Sequence, residues 1–160
     1  MAGNPFWAWS LRLYKRPGVA HACLALQDRA GIDVNLLLFC LWCGSRRIPL
    51  SRPAMREALR LSRRWSLSVV QPLRAVRRSL KVPALSSKAL RNLRRHLAAV
   101  ELKAERVQHD CLYRLARNVA RIEADALAAG TRNVASYFRL AGIRLGRNDR
   151  SALATVVQAA

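Results

Sequence analysis

Four cysteines, three histidines and a few acids are the residues of this chain best suited to chemistry, and their spacing limits what they can do. Cys40-Leu-Trp-Cys43 is a C-x-x-C pair. Such a pair acts as a dithiol when it follows a strand and opens a helix, or as half of a zinc site when further ligands converge on it. Here it lies inside an apolar run, with no second C-x-x-C and no flanking strand pattern. Zinc would have to recruit His21, His96, His109 or Cys111, and the last two, two positions apart on a helix, point to different sides. Cys23 or Cys111 could pair with a histidine as a nucleophile, yet no third residue is placed to orient the pair. Asp28 and Asp33 flank Gly31 and could meet for acid–base work. Their positions at a helix end and a helix start explain them more simply. Phosphate loops of the G-x-x-x-x-G-K or G-x-G-x-x-G kind are absent. No enzyme reading leads, and no catalytic residue, metal or cofactor is assigned.

The elements that hold these residues are best marked in 17–44, PGVAHACLALQDRAGIDVNLLLFCLWCG. Pro17 can open a helix, and Val19, Ala22, Cys23 and Leu26 recur at the spacing of one buried face. Gly31 suits the left-handed residue that ends a helix, and Asp33 suits an N-cap. From Val34 to Cys43 only Asn35 is polar, which predicts a central core helix. It is far too short to cross a bilayer, which takes roughly 20 residues. Upstream, Asn4 and Pro5 start a helix to about Arg16. Phe6, Ser10 and Leu13 lie on one of its sides, and core packing is preferred over a membrane-interface role.

The N-terminal FWAWSLRLY, followed by PGVAHACLALQDRAGIDVNLLLFCLW, resembles a family of uncharacterised proteobacterial proteins of about this length, a domain of unknown function. The resemblance covers residues 6 to 44 and implies a small bacterial cytoplasmic protein. It carries over no activity and no catalytic residue.

At 160 residues and 52% hydrophobic content, the chain can bury a real core. Neither a signal peptide nor a strand pattern is legible, so a cytoplasmic all-α bundle of about six to seven helices is expected. It is read as one helical domain over 1–146 with a weakly ordered tail at 147–160. The unevenly spaced cysteines read as reduced thiols. The longest helix is expected from Ser86 or Ser87 to about Ala129, with Gly130 stopping it and Thr131 capping a short segment to Gly142. Leu90, Leu93, Leu97, Val100, Ala104, Val107, Cys111, Leu115, Val119, Ile122 and Ala126 form its apolar stripe. That stripe is expected to dock on the core helices, with a coiled-coil dimer as the alternative.

Charge is concentrated in the middle. Residues 46–95 hold fifteen basic residues and one acid, against a net +20 for the whole chain. After Ser51 and Pro53, Arg52, Arg56, Arg60, Arg63 and Arg64 fall within an arc of about 120° on one helix. A break near Gln71-Pro72 is expected to start another helix, where Arg74, Arg77, Arg78 and Lys81 follow one face. After a linker at Val82-Pro83, Lys88, Arg91, Arg94 and Arg95 crowd the first turns of the long helix, where cations oppose the helix dipole. These thirteen residues are the candidate polyanion-binding site.

The expected partner is the phosphate backbone of RNA or DNA, as for a ribosome- or nucleoid-associated protein, because arginine gives bidentate phosphate contacts. Trp65 is the single aromatic in the block, which disfavours base stacking, and no sequence-reading motif is present. The alternative is an adaptor meeting an acidic protein or an anionic membrane surface.

Overall fold

The computed structural model describes residues 3–81, 87–117, 119 and 125–160. Among them every regular element is helical: α1 (Pro5–Tyr14), α2 (Val19–Ala30), α3 (Val34–Ser45), α4 (Arg52–Trp65), a π-helical turn (Ser66–Val70), α5 (Gln71–Ser79), α6 (Lys88–Ala116), α7 (Ala126–Ala141) and α8 (Arg147–Ala159). The all-α expectation is met. Since α4, the π turn and α5 form one rod, so is the number of helices.

The core is built around α3. Asp33 caps it as its spacing predicts, Oδ1 accepting the Leu36 N–H at 3.2 Å. Residues 34–44 are all buried except Asn35, and each Leu or Phe withdrawn from water contributes about 2 kcal/mol. Helix α1 brings Phe6, Ser10 and Leu13 inward, and Phe6 meets Phe39 edge-on at 5.6 Å. Asn4 caps α1 through Oδ1 and donates from Nδ2 to Asp110 on α6 at 2.7 Å. Helix α7 crosses α3 most closely, and α8 lies along α2.

Most polar groups inside this bundle are paired; Trp42 Nε1 on α3 is buried with no hydrogen-bond partner among the described residues. Asp33 Oδ2 accepts from Ser62 Oγ at 2.7 Å and from Gln108 Nε2 at 3.0 Å, tying α3 to α4 and α6. The Gln108 Oε1 accepts from Asn35 at 2.7 Å. Asn133 on α7 donates to the carbonyls of Cys40 and Ile48 and accepts from the Leu50 N–H at 2.9 Å. That pins residues 46–50 against α3.

Several boundaries differ from expectation. Helix α1 stops at Tyr14, and α2 starts at Val19 instead of Pro17, because Gly18 at φ +79° is outside helical space. The long helix stops at Ala116, and Gly130, expected to end it, sits inside α7. The missed cue is Asp125, whose Oδ2 accepts the Ala128 N–H at 3.0 Å and caps a new helix. Residues 147–160, expected as a weakly ordered tail, form α8 with Val156 buried. Val82, Pro83, Ser86 and Ile122 lie outside the described residues; Ser87 is the N-cap of α6.

The apolar stripe on α6 divides. Ala104 and Leu112 are buried, whereas Leu93, Val100 and Val107 remain exposed. Neither α5 nor the first half of α6, up to Val100, contributes a buried residue. Together they form a two-helix extension from the core, basic outside.

Candidate functional site

Helix α4 presents the arginine face as its sequence predicts. Ser51 Oγ accepts the Ala54 N–H at 3.3 Å, with Pro53 in the first turn. Met55, Ala58 and Ser62 face the core, so the opposite arc puts Arg52, Arg56, Arg60, Arg63 and Arg64 in solvent. At 1.5 Å per residue this row is about 18 Å long. The acid on this helix, Glu57, pairs with Arg60 at 2.6 Å, an exposed ion pair of small energetic weight.

The α5 residues are placed differently. Pro72 has no N–H, and in a regular helix its ring would press on the carbonyl four residues earlier. Instead of the expected break, the chain opens into a π turn and runs on. One extra residue in a turn rotates the downstream helix by about 100°. The inward direction passes from Met55, Ala58 and Ser62 to Val70, Arg74 and Arg77. Arg74 reaches Glu101 at 2.8 Å and Glu105 at 2.9 Å, and Arg77 reaches Glu101 at 2.6 Å. Arg78 pairs with Asp28 of α2 at 3.1 Å. With Arg60 on Glu57, four of the thirteen candidates therefore pair with the protein's own acids among the described residues.

Lys81, Lys88, Arg91 and Arg95 are exposed. Arg94 is partly covered, and its Nε is shut off from solvent with no hydrogen-bond partner among the described residues.

The inward arginines stand at a cleft of about 440 Å³ between α1, α2, α5 and α6, floored by the start of α3. Its buried lining mixes Ser10, Gln108 and His109 with Ile32, Val34, Leu38 and Val70, with Asn35 half-buried beside them, and its charged side holds Arg74, Arg77, Glu101 and Glu105. Burial works against the charge on Glu101, but hydrogen bonds from Arg77 and Arg74 outweigh it and hold that carboxyl below the usual range. Burial raises Glu105, with Arg74 only partly opposing it. His109 is pushed down to about 4 by burial. Its Nδ1 lies 3.0 Å from the Glu105 carbonyl, which can only accept, so Nδ1 carries the proton and Nε2 accepts from Ser10 Oγ at 3.2 Å. The ring stacks on Phe6 at 4.2 Å. Sequence reasoning missed this cleft. The available signal was Glu101 and Glu105, one helical turn apart on the helix that comes after the α5 arginines.

No cysteine lines it, although the Cys23 thiol hydrogen-bonds with Tyr14, which does. Cys40 and Cys43 are buried in α3, and burial pushes both thiols well up. Burial raises the Cys23 thiol to about 11. Among the described residues no three His, Cys, Asp or Glu side chains are grouped to hold a metal. Asp28 and Asp33 serve different partners, Arg78 and the Ser62–Gln108 pair.

Residues 5–112 match the model of a family described as a protein of unknown function, DUF2390. The chain belongs to that family. The DUF2390 segment encloses the motif at 6–44, all thirteen basic candidates and every residue lining the cleft. Helices α7 and α8 come after it. No curated protein and no solved structure matches the chain. No helix among the described residues is long and apolar enough to cross a membrane.

Proposed function

We propose that this DUF2390 member is a non-enzymatic protein that binds the backbone of structured RNA or duplex DNA through the outer face of α4. The supporting observation is the row Arg52, Arg56, Arg60, Arg63 and Arg64, exposed together with Glu57 as its single acidic neighbour on the helix. Guanidinium groups spaced along about 18 Å of helix match a run of phosphates. Lys81, Lys88 and Arg95 extend the positive field along the two-helix extension, and the net charge of +20 steers any polyanion toward it. The contribution of Arg74 and Arg77 is discounted because partly covered acids of the protein already hold them, whereas the pairs of Arg78 and Arg60 are exposed and weak enough for a phosphate to replace.

Backbone contact, without base stacking, is the form this takes. Trp65 donates from Nε1 to the Ala104 carbonyl at 2.9 Å and is committed to packing α4 on α6. This mode suits a ribosome- or nucleoid-associated role. The test is a fluorescence-anisotropy titration of labelled duplex RNA with the parent and an R60E/R63E/R64E variant. Loss of binding in the variant, with unchanged helicity, supports the reading. Equal binding by both removes it. Binding by the parent to anionic vesicles but not to RNA would move the function to the adaptor alternative.

A further inference from the structure

We propose that the cleft between α1, α2, α5 and α6 binds a small anionic amphiphile, a carboxylate carried on an apolar body such as a medium-chain acyl or arylalkyl group. The inference is independent of nucleic-acid binding at α4, which uses a different face.

The cavity has the size of a small-molecule site, a class that runs from about 300 to 1,000 Å³. Its solvent-exposed edge carries an apolar cluster beside the polar Gln71 and Arg78. Leu24 is 56% and Leu102 49% exposed, and Leu11 and Tyr14 stand beside them. Leucines left in water around one concavity are what an apolar ligand would cover. Further in, the Arg74–Arg77–Glu101–Glu105 cluster lies beside the buried apolar Ile32, Val34, Leu38 and Val70. A purely apolar ligand would strand that charge, so the occupant needs a polar head and an apolar body.

The sign of the head is set by which groups are already used. Asp33 accepts from the Leu36 N–H, Ser62 and Gln108. Both Glu101 oxygens are taken by Arg74 and Arg77. Glu105 keeps one oxygen without a hydrogen bond among the described residues, but burial weakens its tendency to ionise. The arginines retain donors. Arg74 uses Nε and Nη2, and Arg77 the same two nitrogens, so each leaves Nη1 with no hydrogen bond among the described residues. Their side chains are 17% and 26% exposed, open enough to be reached and dry enough for a charge-assisted bond to matter. Two unused guanidinium donors against one reluctant carboxylate favour an anion. The protein's strongly positive field adds to that preference.

The probe is decanoate, with decanol and decylamine as matched controls, each titrated into the full chain by calorimetry. Decanoate is expected to bind saturably at one site and at least tenfold more tightly than either control. An L24N/L102N variant, altered only at the exposed rim, should lose at least tenfold in affinity with an unchanged circular dichroism spectrum. The R60E/R63E/R64E variant should bind decanoate like the parent. Equal binding of decanol, loss in the α4 variant with none in the rim variant, or no saturable decanoate binding at millimolar concentration would each overturn the assignment.

Discussion

Gly44 and Gly130 cross with no side chain between them: a methyl group on Gly44 would lie 2.3 Å from the Gly130 Cα and 2.4 Å from its nitrogen. The relation is not symmetric. A methyl on Gly130 would meet nothing closer than 3.8 Å, at the Gly44 Cα and a Leu41 methyl. Helices α3 and α7 therefore depend on one of the two glycines for their approach.

Gly44→Ala should destabilise the fold by about 3 kcal/mol, at the upper end of what overpacking costs, because the obstacle is backbone. Gly130→Ala should be neutral or stabilising by up to about 1 kcal/mol, since alanine is the better residue inside a helix. Urea denaturation of both variants checks this. Were Gly130 a left-handed helix stop, the second substitution would instead destabilise.

Much of the fold is legible in the sequence for identifiable reasons. Gly31 at φ +63° and Asp33 with its side-chain bond are local devices that act within a few residues, and the α3 run is apolar on every side. What escaped detection depends on residues far apart in the chain. Gly130 reads as a stop because nothing local reveals that Gly44 lies against it. The α4 arginines are legible because Ser51 and a regular helix set their phase. Arg74 and Arg77 are not, because Pro72 is met by a π turn that rotates them toward Glu101 and Glu105. The cleft stayed hidden for the same reason, since it gathers residues from five helices and the π turn.

His109 gives a pH dependence with a defined sign. Its folded value of about 4 lies below the ordinary 6.5, so the unfolded chain takes up the proton first and stability falls as pH drops through that window. Its contribution should be about 2 kcal/mol smaller at pH 5 than at pH 7. Chemical denaturation at the two pH values checks it, and His109→Gln should flatten that part of the slope.

Glu101 anchors two arginines, so its loss should be felt in stability. Glu101→Gln leaves Arg74 and Arg77 short of a counter-charge in a partly dry site. A cost of about 1–3 kcal/mol is expected, below that of a fully buried pair because both guanidiniums keep some solvent contact. The melting temperature at neutral pH reads it directly.

Under the proposed function the exposed α4 arginines meet the polyanion, whereas Arg74 and Arg77 of α5 are held by Glu101 and Glu105. That division is tested most directly by measuring duplex RNA affinity against salt concentration for the parent, R60E/R63E/R64E, and R74Q/R77Q confirmed as folded. A steep log–log slope of about −4 is expected for the parent, one step of about 0.9 per phosphate contacted. The α4 variant should show a much shallower slope and the α5 variant a parent-like one. A slope unchanged in the α4 variant but reduced in the α5 variant would contradict it.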